Sequence, residues 1–451
     1  NLGYNHTLFG NKGNGGYPNP YADMVKGYKD RFTNTILSQV QLEQDLGFIT
    51  EGLKFRGLAS VRTYAENENK RSYNPFYYGT AELETEEGLL YYLYQISEGT
   101  EYLNSPEINN YSNSNFYYEF TTEYNRIFDE LHEIGGLLVF NFSESLNTIS
   151  GSSDFASLPS RNMGVSGRFS YNFDSRYYAE FNFGYNGSEK FAEDNRFGFF
   201  PSVGFGWIAS NEKWFEEMNS SITLLKFKIT NGKVGNDAIS SASDRFFYLS
   251  DVNLNYGDNG YSWGLDYNNY TSGYLIDRYS NPNVTWEVAE KTNFGLELEI
   301  NKALNLQVDY FTEHRTQIYM ERNYIPESMG LTTGISSNLG EVKSKGIDAS
   351  MDYNQAFLSG LYITGRANFT YATNEIILNG DPVYEFDNLS RIGYPVNQPF
   401  GLIAERLFID AEDITNSPEQ FNGFSSSSNS YLPGDIKYTD LNGDGVVNEN
   451  D

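Results

Sequence analysis

The sequence predicts an all-β protein, an antiparallel transmembrane β-barrel, and three observations point to it. Apolar and polar residues alternate along most of the 451 residues, which is typical of strands with two different faces. The alternating segments run to about ten residues, the length that crosses a bilayer at the tilt of a barrel strand. Short and very long connections tend to alternate, as turns and extracellular loops do in outer-membrane barrels.

The clearest predicted hairpin joins residues 294–300 to 304–310 through the polar turn 301–303. In both strands, apolar residues alternate with Gly, Glu, Asn, Gln or Asp, so one face is apolar and the other is polar. Further hairpins join 166–173 to 176–185 and 347–353 to 361–371, and strands near 40–48 and 53–63 flank the turn at 50–51. About thirteen strands are expected in all.

The alternation also predicts which way each side chain points. The residues expected to face lipid are Phe181, Phe183, Leu296, Leu298, Leu306 and Val308. Those expected to face the lumen are Glu180, Glu297, Glu299 and Asp309. A shift of one residue in register would place these carboxylates in hydrocarbon, which is costly.

Long links are expected at 64–113, 145–163, 232–289, 312–340 and 374–451. Strands of an antiparallel barrel alternate in direction, so an even number of crossings separates two turns on the same side. Four predicted strands lie between the turns at 174–175 and 301–303, so both turns belong to one side. The long loop 251–279 then lies on the other side, which we expect to be extracellular.

Composition excludes several kinds of function. The net charge of −29 makes nucleic acid an unsuitable partner, because phosphate binding needs a basic face. The absence of cysteine excludes disulfides, cysteine-ligated zinc and thiol catalysis. No apolar run reaches the length of a membrane helix. A large soluble β-sandwich is the alternative from the pattern alone, because a wet outer face and a wet lumen give one strand the same pattern.

Six segments resemble, in order, stretches of one transporter family. They are 181–207 (FNFGYNGSEKFAEDNRFGFFPSVGFGW), 226–237 (KFKITNGKVGND), 281–292 (NPNVTWEVAEKT), 337–346 (SNLGEVKSKG), 392–399 (IGYPVNQP) and 433–451 (PGDIKYTDLNGDGVVNEND). The family is the SusC/RagA group of TonB-dependent outer-membrane transporters of Bacteroidota. The resemblance covers about 270 residues, whereas residues 1–180 match only loosely.

The resemblance implies a barrel of about 22 strands with a plugged lumen. It also implies energy-coupled import of a large nutrient, an oligosaccharide or a peptide, across the outer membrane of a Gram-negative bacterium. A SusD-like lipoprotein would act as a lid, and the TonB-ExbB-ExbD complex would supply energy. The expectation for residues 1–451 is a partial barrel domain without signal peptide, plug, TonB box or last strands, and without enzymatic activity. A passive porin, a surface adhesin and a secreted carbohydrate-active protein are the alternatives.

The loop 251–279 is rich in aromatic residues. Flat rings beside Asn and Asp suit contacts with sugar or with an apolar protein surface. The candidate substrate-binding residues are Tyr256, Tyr261, Trp263, Tyr267 and Tyr270. Packing of the loop against itself is the alternative. The segment 260–264 also fits G-x-S-x-G, but a nucleophile elbow needs a strand before the serine and a helix after it, and the flanking residues resemble loops.

Residues 440–451 have the spacing of a calcium loop. The candidate ligands are Asp440, Asn442, Asp444, the carbonyl of Val446, Asn448 and Asp451. A glutamate usually occupies the last position, so the shorter Asp451 should bind more weakly. A solvated acidic turn is the alternative. No cofactor is required for the expected transport, and calcium would stiffen this loop.

Overall fold

The computed structural model describes residues 5–10, 19–86, 88–149, 158–218, 221–239, 246–420 and 431–451. Strand accounts for 62% and helix for 6%, so the predicted all-β class is confirmed. The described strands are β1 (Phe9–Gly10), β2 (Gly27–Asp45), β3 (Leu53–Ser72), β4 (Tyr77–Thr85), β5 (Gly88–Ser97), β6 (Glu107–Phe128), β7 (His132–Ile149), β8 (Ser160–Phe173), β9 (Tyr177–Ser188), β10 (Phe197–Ile208), β11 (Ile222–Asn236), β12 (Asp251–Trp263), β13 (Asn269–Arg278), β14 (Glu287–Ile300), β15 (Leu304–Glu321), β16 (Ser336–Ala356), β17 (Tyr362–Leu378), β18 (Ala404–Leu407) and β19 (Ile436–Tyr438). The described α-helices are α1 (Pro20–Val25), α2 (Lys213–Glu216) and α3 (Ala411–Thr415).

Twelve of these strands form one sheet, close to the expected number. Their order is β17-β16-β15-β14-β11-β10-β9-β8-β7-β6-β3-β2. The remaining strands form small sheets, β1-β4-β5, β12-β13 and β18-β19. No helix among the described residues is long and apolar enough to cross a membrane.

The chain divides into two compact units. The first comprises the described residues of Asn1–Glu43, Arg56–Phe120 and Asn141–Asn162, and the second those of Gln44–Phe55, Thr121–Phe140 and Met163–Asp451. In the first unit, β4 pairs antiparallel with β5 and parallel with β1. The second unit contains the strands from β9 to β17, and it carries the candidate sites.

Neighbouring strands of the large sheet in the second unit pair antiparallel, with register shifts only near strand ends, in β11 by Ile222, in β15 after Arg315 and in β16 by Glu341. The turns after β8, β14 and β16 are short, and together with residues 209–218 of the link between β10 and β11 they lie at one edge, the short-turn edge. The links after β9, β11 and β15 lie at the opposite edge, the long-link edge. The prediction that the turns at 174–175 and 301–303 share a side, with the links near 187–198 and 232–289 opposite, is therefore confirmed.

The predicted strand length is wrong. Strand β14 has 14 residues, β15 has 18 and β16 has 21, whereas about ten cross a bilayer. On the apolar face of β14 the apolar run ends at Phe294, and Thr292 and Glu290 continue the same face towards the long-link edge. The strands thus extend beyond their apolar section. Two of the predicted long links also contain strands of their own. The link 64–113 contains β4 and β5, and the link 232–289 contains β12 and β13.

Candidate functional site

The apolar face of the second unit's sheet is built from rows of cross-strand neighbours. One row comprises Trp207, Phe227, Leu296, Val308, Ala349 and Phe369. The next row towards the long-link edge comprises Phe205, Ile229, Phe294, Tyr310, Ile347 and Tyr371. Leu298 pairs with Leu306, and Phe181 pairs with Val203 of the same face. The predicted grouping of apolar side chains on one face is confirmed.

The opposite face carries ion pairs that cross the strands. Lys226 lies 3.2 Å from Glu297, and Lys228 lies 3.1 Å from Asp309. Glu299 accepts a hydrogen bond of 2.6 Å from the Thr223 hydroxyl. Further pairs on this face are Arg168–Glu180 (3.7 Å), Lys291–Glu313 (3.0 Å), Arg315–Glu287 (3.0 Å) and Arg366–Asp352 (2.5 Å). The carboxylates predicted for the lumen therefore share one face, where cations largely neutralise them.

A buried cluster of apolar side chains packs at the long-link edge. Phe191, Phe247, Val284 and Trp286 are each at most 8% exposed. The Trp286 ring lies 5.4 Å from the Phe191 ring and 5.3 Å from that of Phe200, and its Nε1 donates to the carbonyl of Arg196 at 3.2 Å. We refer to these four residues as the link cluster.

Polar bonds hold the surrounding links to this cluster. Ser188 donates to Asp237 at 2.7 Å, and Lys190 donates to the carbonyl of Asp237 at 2.8 Å. The Asn338 side chain accepts from the Thr285 N–H at 2.9 Å and donates to its carbonyl at 2.8 Å. Four of the motifs that suggested the family, those within 181–207, 226–237, 281–292 and 337–346, thus meet in one place. Sequence reasoning did not identify the link cluster, although the motifs contain Phe191, Val284 and Trp286.

The short-turn edge is held by a carboxylate. Glu212, in the link between β10 and β11, is 7% exposed. It accepts hydrogen bonds from Tyr177 at 2.6 Å, Trp207 at 3.2 Å and Arg176 at 3.0 Å. Donation from Tyr177 and Trp207, followed by that from Arg176, lowers the pKa of Glu212. We refer to this set of four residues as the turn network.

The aromatic segment predicted as a loop is a β-hairpin, β12 and β13. Gly264 and Tyr267, both with positive φ, form the turn between the strands. At Gly260 a Cβ would lie 2.7 Å from the backbone carbonyl oxygen of Thr271, so this close approach of the strands favours glycine. Arg278 at the base donates to the Leu249 carbonyl at 3.2 Å.

The structure brings some of the five predicted aromatic residues together. The Tyr261 and Trp263 rings lie 4.9 Å apart, edge to face, and are 60% and 56% exposed. Tyr270, which pairs with Ser262 between them, belongs to the other side of the hairpin and donates to the Gly257 carbonyl. Tyr256 donates to Asp258 at 3.0 Å. The prominent feature is therefore one exposed aromatic pair near the turn.

The G-x-S-x-G segment does not form a nucleophile elbow. Ser262 lies in β12, so a strand does precede it, contrary to the predicted loop, but a turn and then β13 follow it. The motif therefore lacks the strand-to-helix turn that exposes a catalytic serine.

The segment 440–451 is closed by its own backbone. Asp440 accepts from the N–H groups of Gly443 and Gly445 at 2.7 and 2.9 Å. Asp451 accepts from Leu441 at 2.8 Å, from Asn442 at 3.3 Å and from Asn448 at 2.8 Å.

The remaining predicted ligands of this segment also have partners within it. The Asp444 carboxylate accepts from the Val446 N–H at 2.8 Å, and the Val446 carbonyl accepts from the Asn448 side chain at 3.4 Å. Within the described residues, no group of three or more acidic or histidine side chains is placed to hold a metal. Calcium binding by this segment therefore stays a prediction.

Comparisons with known proteins find similarity to TonB-dependent receptors and to the RagAB importer. No family model matches the chain. The TonB-dependent receptor P3 of Formosa agariphila is 24% identical over 300 residues, covering 64% of this chain and 28% of the receptor. The TonB-dependent receptor SusC of Bacteroides thetaiotaomicron is 26% identical over 271 residues, covering 54% of this chain and 26% of SusC. The RagAB peptide importer in its open-open state has a TM-score of 0.60 at 20% identity, covering 88% of this chain and 42% of that chain.

The fold and the comparisons place the chain beside the barrels of TonB-dependent receptors and of the RagAB importer, to which it is similar. The sequence resemblance to SusC/RagA-like TonB-dependent transporters is confirmed, and the chain is an outer-membrane β-barrel protein of a Gram-negative bacterium. The relatives are receptors and transporters, and the expectation that the chain is not an enzyme agrees with them. The chain spans about a quarter of the length of the curated relatives it matches.

Proposed function

We propose that this chain forms part of the wall and the outer links of a TonB-dependent importer for a large nutrient. The observation that carries the proposal is the division of the sheet into an apolar face and a face of paired charges. Lipid requires the first, and a hydrated lumen accommodates the second. The neutralised inner face, with amides such as Gln307 beside Asp309 at 2.7 Å, suits a cargo rich in hydroxyl or amide groups.

The proposed partners follow from the relatives. A SusD-like lipoprotein would cover the barrel, and the TonB-ExbB-ExbD complex would drive transport. The similarity to SusC and to the RagAB importer supports such a paired system. The cargo is an oligosaccharide or a peptide, and the similar RagAB complex is a peptide importer.

The aromatic pair Tyr261 and Trp263 is the proposed contact for the cargo or for the lid. An exposed edge-to-face pair presents flat apolar surface with polar tips, which suits the face of a sugar ring or an apolar protein segment. Loss of Trp263 should therefore weaken uptake. Leu265, fully exposed in the turn of the same hairpin, provides a matched apolar position without a ring.

The test is uptake of fluorescently labelled neutral oligosaccharides and of labelled peptides by cells that carry the complete transporter. Energy-coupled import should stop when a protonophore collapses the proton gradient. Trp263→Ala should reduce uptake severalfold, and Leu265→Ala should leave it unchanged. Uptake that continues in the presence of the protonophore would identify a passive porin and contradict the proposal.

A further inference from the structure

On the apolar face, hydroxyl and charged side chains replace apolar ones just beyond the row that contains Phe294, Tyr310, Ile347 and Tyr371. We refer to this row as the aromatic row. Next to Phe294, Tyr310, Ile347 and Tyr371 lies a row of hydroxyls with one cation, Thr292, Thr312, Lys345 and Thr373. One row further towards the long-link edge lie Lys233, Glu290, His314, Lys343 and Glu375. Because side chains alternate along a strand, both rows share the lipid-facing side with the aromatic row.

A recess of about 720 Å³ lies over these two rows. The segment at Gly393 and Pro395 forms one of its walls. Backbone bonds hold this segment on the edge of β17, since the Gly393 N–H donates to the Ile376 carbonyl at 2.7 Å and the Ile376 N–H donates to the Tyr394 carbonyl at 2.9 Å. The recess is therefore bounded by the sheet and by a clasped loop.

The lysines of the recess lack the ion pairs that lysines on the opposite face form. Lys226, Lys228 and Lys291 each form an ion pair. The side chains of Lys343 and Lys345 form no ion pair or hydrogen bond with any described residue. Two unpartnered cations beside three hydroxyls are therefore available to a ligand from outside the chain.

The two lysines have different surroundings. In the outer row Lys343 is a cross-strand neighbour of His314 and Glu375, and His314 lies 3.2 Å from Glu341. Acidic groups therefore offset much of the charge of that row. Lys345 has Thr312 and Thr373 as its cross-strand neighbours, so its charge is not offset within its row. The positive end of the recess lies next to the aromatic row.

We infer that this recess binds the phosphate of a membrane lipid headgroup. Aromatic belts mark the level at which headgroups begin, and the threonine row lies immediately beyond the belt residues Tyr310 and Tyr371. A phosphate there would receive charge-assisted hydrogen bonds from Lys345 and hydroxyl bonds from Thr312 and Thr373. Lys343 adds a second positive charge, and the carboxylates of Glu290 and Glu375 stand one row further out. The inference goes beyond the proposed transport and depends on the apolar face being the lipid face.

The test compares lipids with different headgroups. The complete transporter is placed in nanodiscs of phosphatidylcholine, whose phosphate is balanced by its own choline cation, with or without bisphosphorylated lipid A, whose phosphates have no such cation, and the retained lipid is counted by native mass spectrometry. The unmodified protein should retain lipid A selectively. The Lys343→Gln/Lys345→Gln double variant should lower retention at least about fivefold, the effect of removing one cation at a membrane surface, with Lys345 contributing most of it. Lys302→Gln, at the short-turn edge, is the control and should change nothing.

Each outcome decides the inference. Selective retention that the double variant removes, with the folded-barrel mobility on gels unchanged, supports a lipid phosphate site. Equal retention by the double variant and the unmodified protein overturns it. Inorganic phosphate that displaces lipid A at millimolar concentration would identify a soluble phosphate site and overturn the lipid assignment. A second variant, Thr312→Val/Thr373→Val, keeps both charges and should also lower retention.

Discussion

The two edges of the second unit's sheet are held by different forces. At the long-link edge the link cluster buries Phe191, Val284 and Trp286 in an apolar interior. At the short-turn edge the turn network uses one carboxylate, Glu212, to gather three donors. The sheet between them exposes large apolar side chains, which a bilayer would cover. Contacts within the chain should therefore contribute most to stability at the two edges, where the chain would leave the bilayer.

The largest expected effect tests the link cluster. Trp286→Ala removes a side chain that is 8% exposed, and truncations of this kind cost about 3–5 kcal/mol. We expect that loss in the free energy of unfolding of the complete barrel, measured by urea titration in detergent. Trp263→Ala, at an exposed position, is the matched control, and an equal loss in both variants would show that the link cluster does not stabilise the edge.

The next largest effect tests the sheet between the edges. Leu298→Arg places a charge on the apolar face between the neighbours Leu225 and Leu306, which should cost about 2–4 kcal/mol near the middle of a bilayer. Ser350→Arg, at the same level on the opposite face, is the control and should have little effect. Folding yield into lipid vesicles measures both. A penalty for Ser350→Arg alone would reverse the two faces.

A smaller, pH-dependent effect tests the turn network. Its hydrogen bonds lower the pKa of Glu212, so the folded state favours the ionised form. This stabilisation is present above the ordinary carboxyl pKa of 4.5 and is lost as the pH falls through the lower folded-state value.

Glu212→Gln should therefore lower the urea midpoint at pH 7.5, and the difference from the unmodified protein should shrink in acid. Glu217→Gln, at an exposed position of the same link, should leave the midpoint unchanged. A deficit that persists undiminished in acid would mean that the charge of Glu212 does not contribute.

The smallest expected effect concerns residues 440–451, away from both edges. If the predicted calcium site forms, Asp451 takes the last ligand position, where a longer glutamate usually binds the ion through both oxygens, so binding should be weak. Isothermal titration of the complete transporter should show heat at sub-millimolar calcium that Asp440→Asn abolishes. No heat up to millimolar calcium would leave the segment as a turn closed by its own hydrogen bonds.

Period-2 alternation was sufficient to predict the sheet. It placed the hairpin of β14 and β15 and its turn correctly, because one-sided burial fixes register. It underestimated strand length, since beyond Phe294 the apolar face continues as Thr292 and Glu290, which resembles a loop in sequence. The alternation of the hairpin β12 and β13 is interrupted by Gly257 and Gly260, which explains why it was predicted as a loop.

The packing of the edges could not be predicted from the pattern. Phe191 and Trp286 are 95 positions apart in the sequence, and their contact depends on links whose paths alternation does not determine. Glu212 resembles any of the 60 acidic residues in the sequence until Tyr177 and Arg176 are seen beside it. The alternation predicted which face carries the charged side chains of the inner wall. Which cation pairs with which carboxylate depends on the cross-strand register.

The central claim is that the long-link edge faces the cell exterior and the short-turn edge the periplasm. Because the chain contains no cysteine, single cysteines can report the side directly. Leu265→Cys, in the fully exposed turn of the aromatic hairpin, and Ser175→Cys, in the turn after β8, are treated with a membrane-impermeant maleimide on intact cells. We expect labelling of Leu265→Cys alone, with Ser175→Cys labelled only after lysis. Labelling of Ser175→Cys on intact cells, with Leu265→Cys protected, would contradict it.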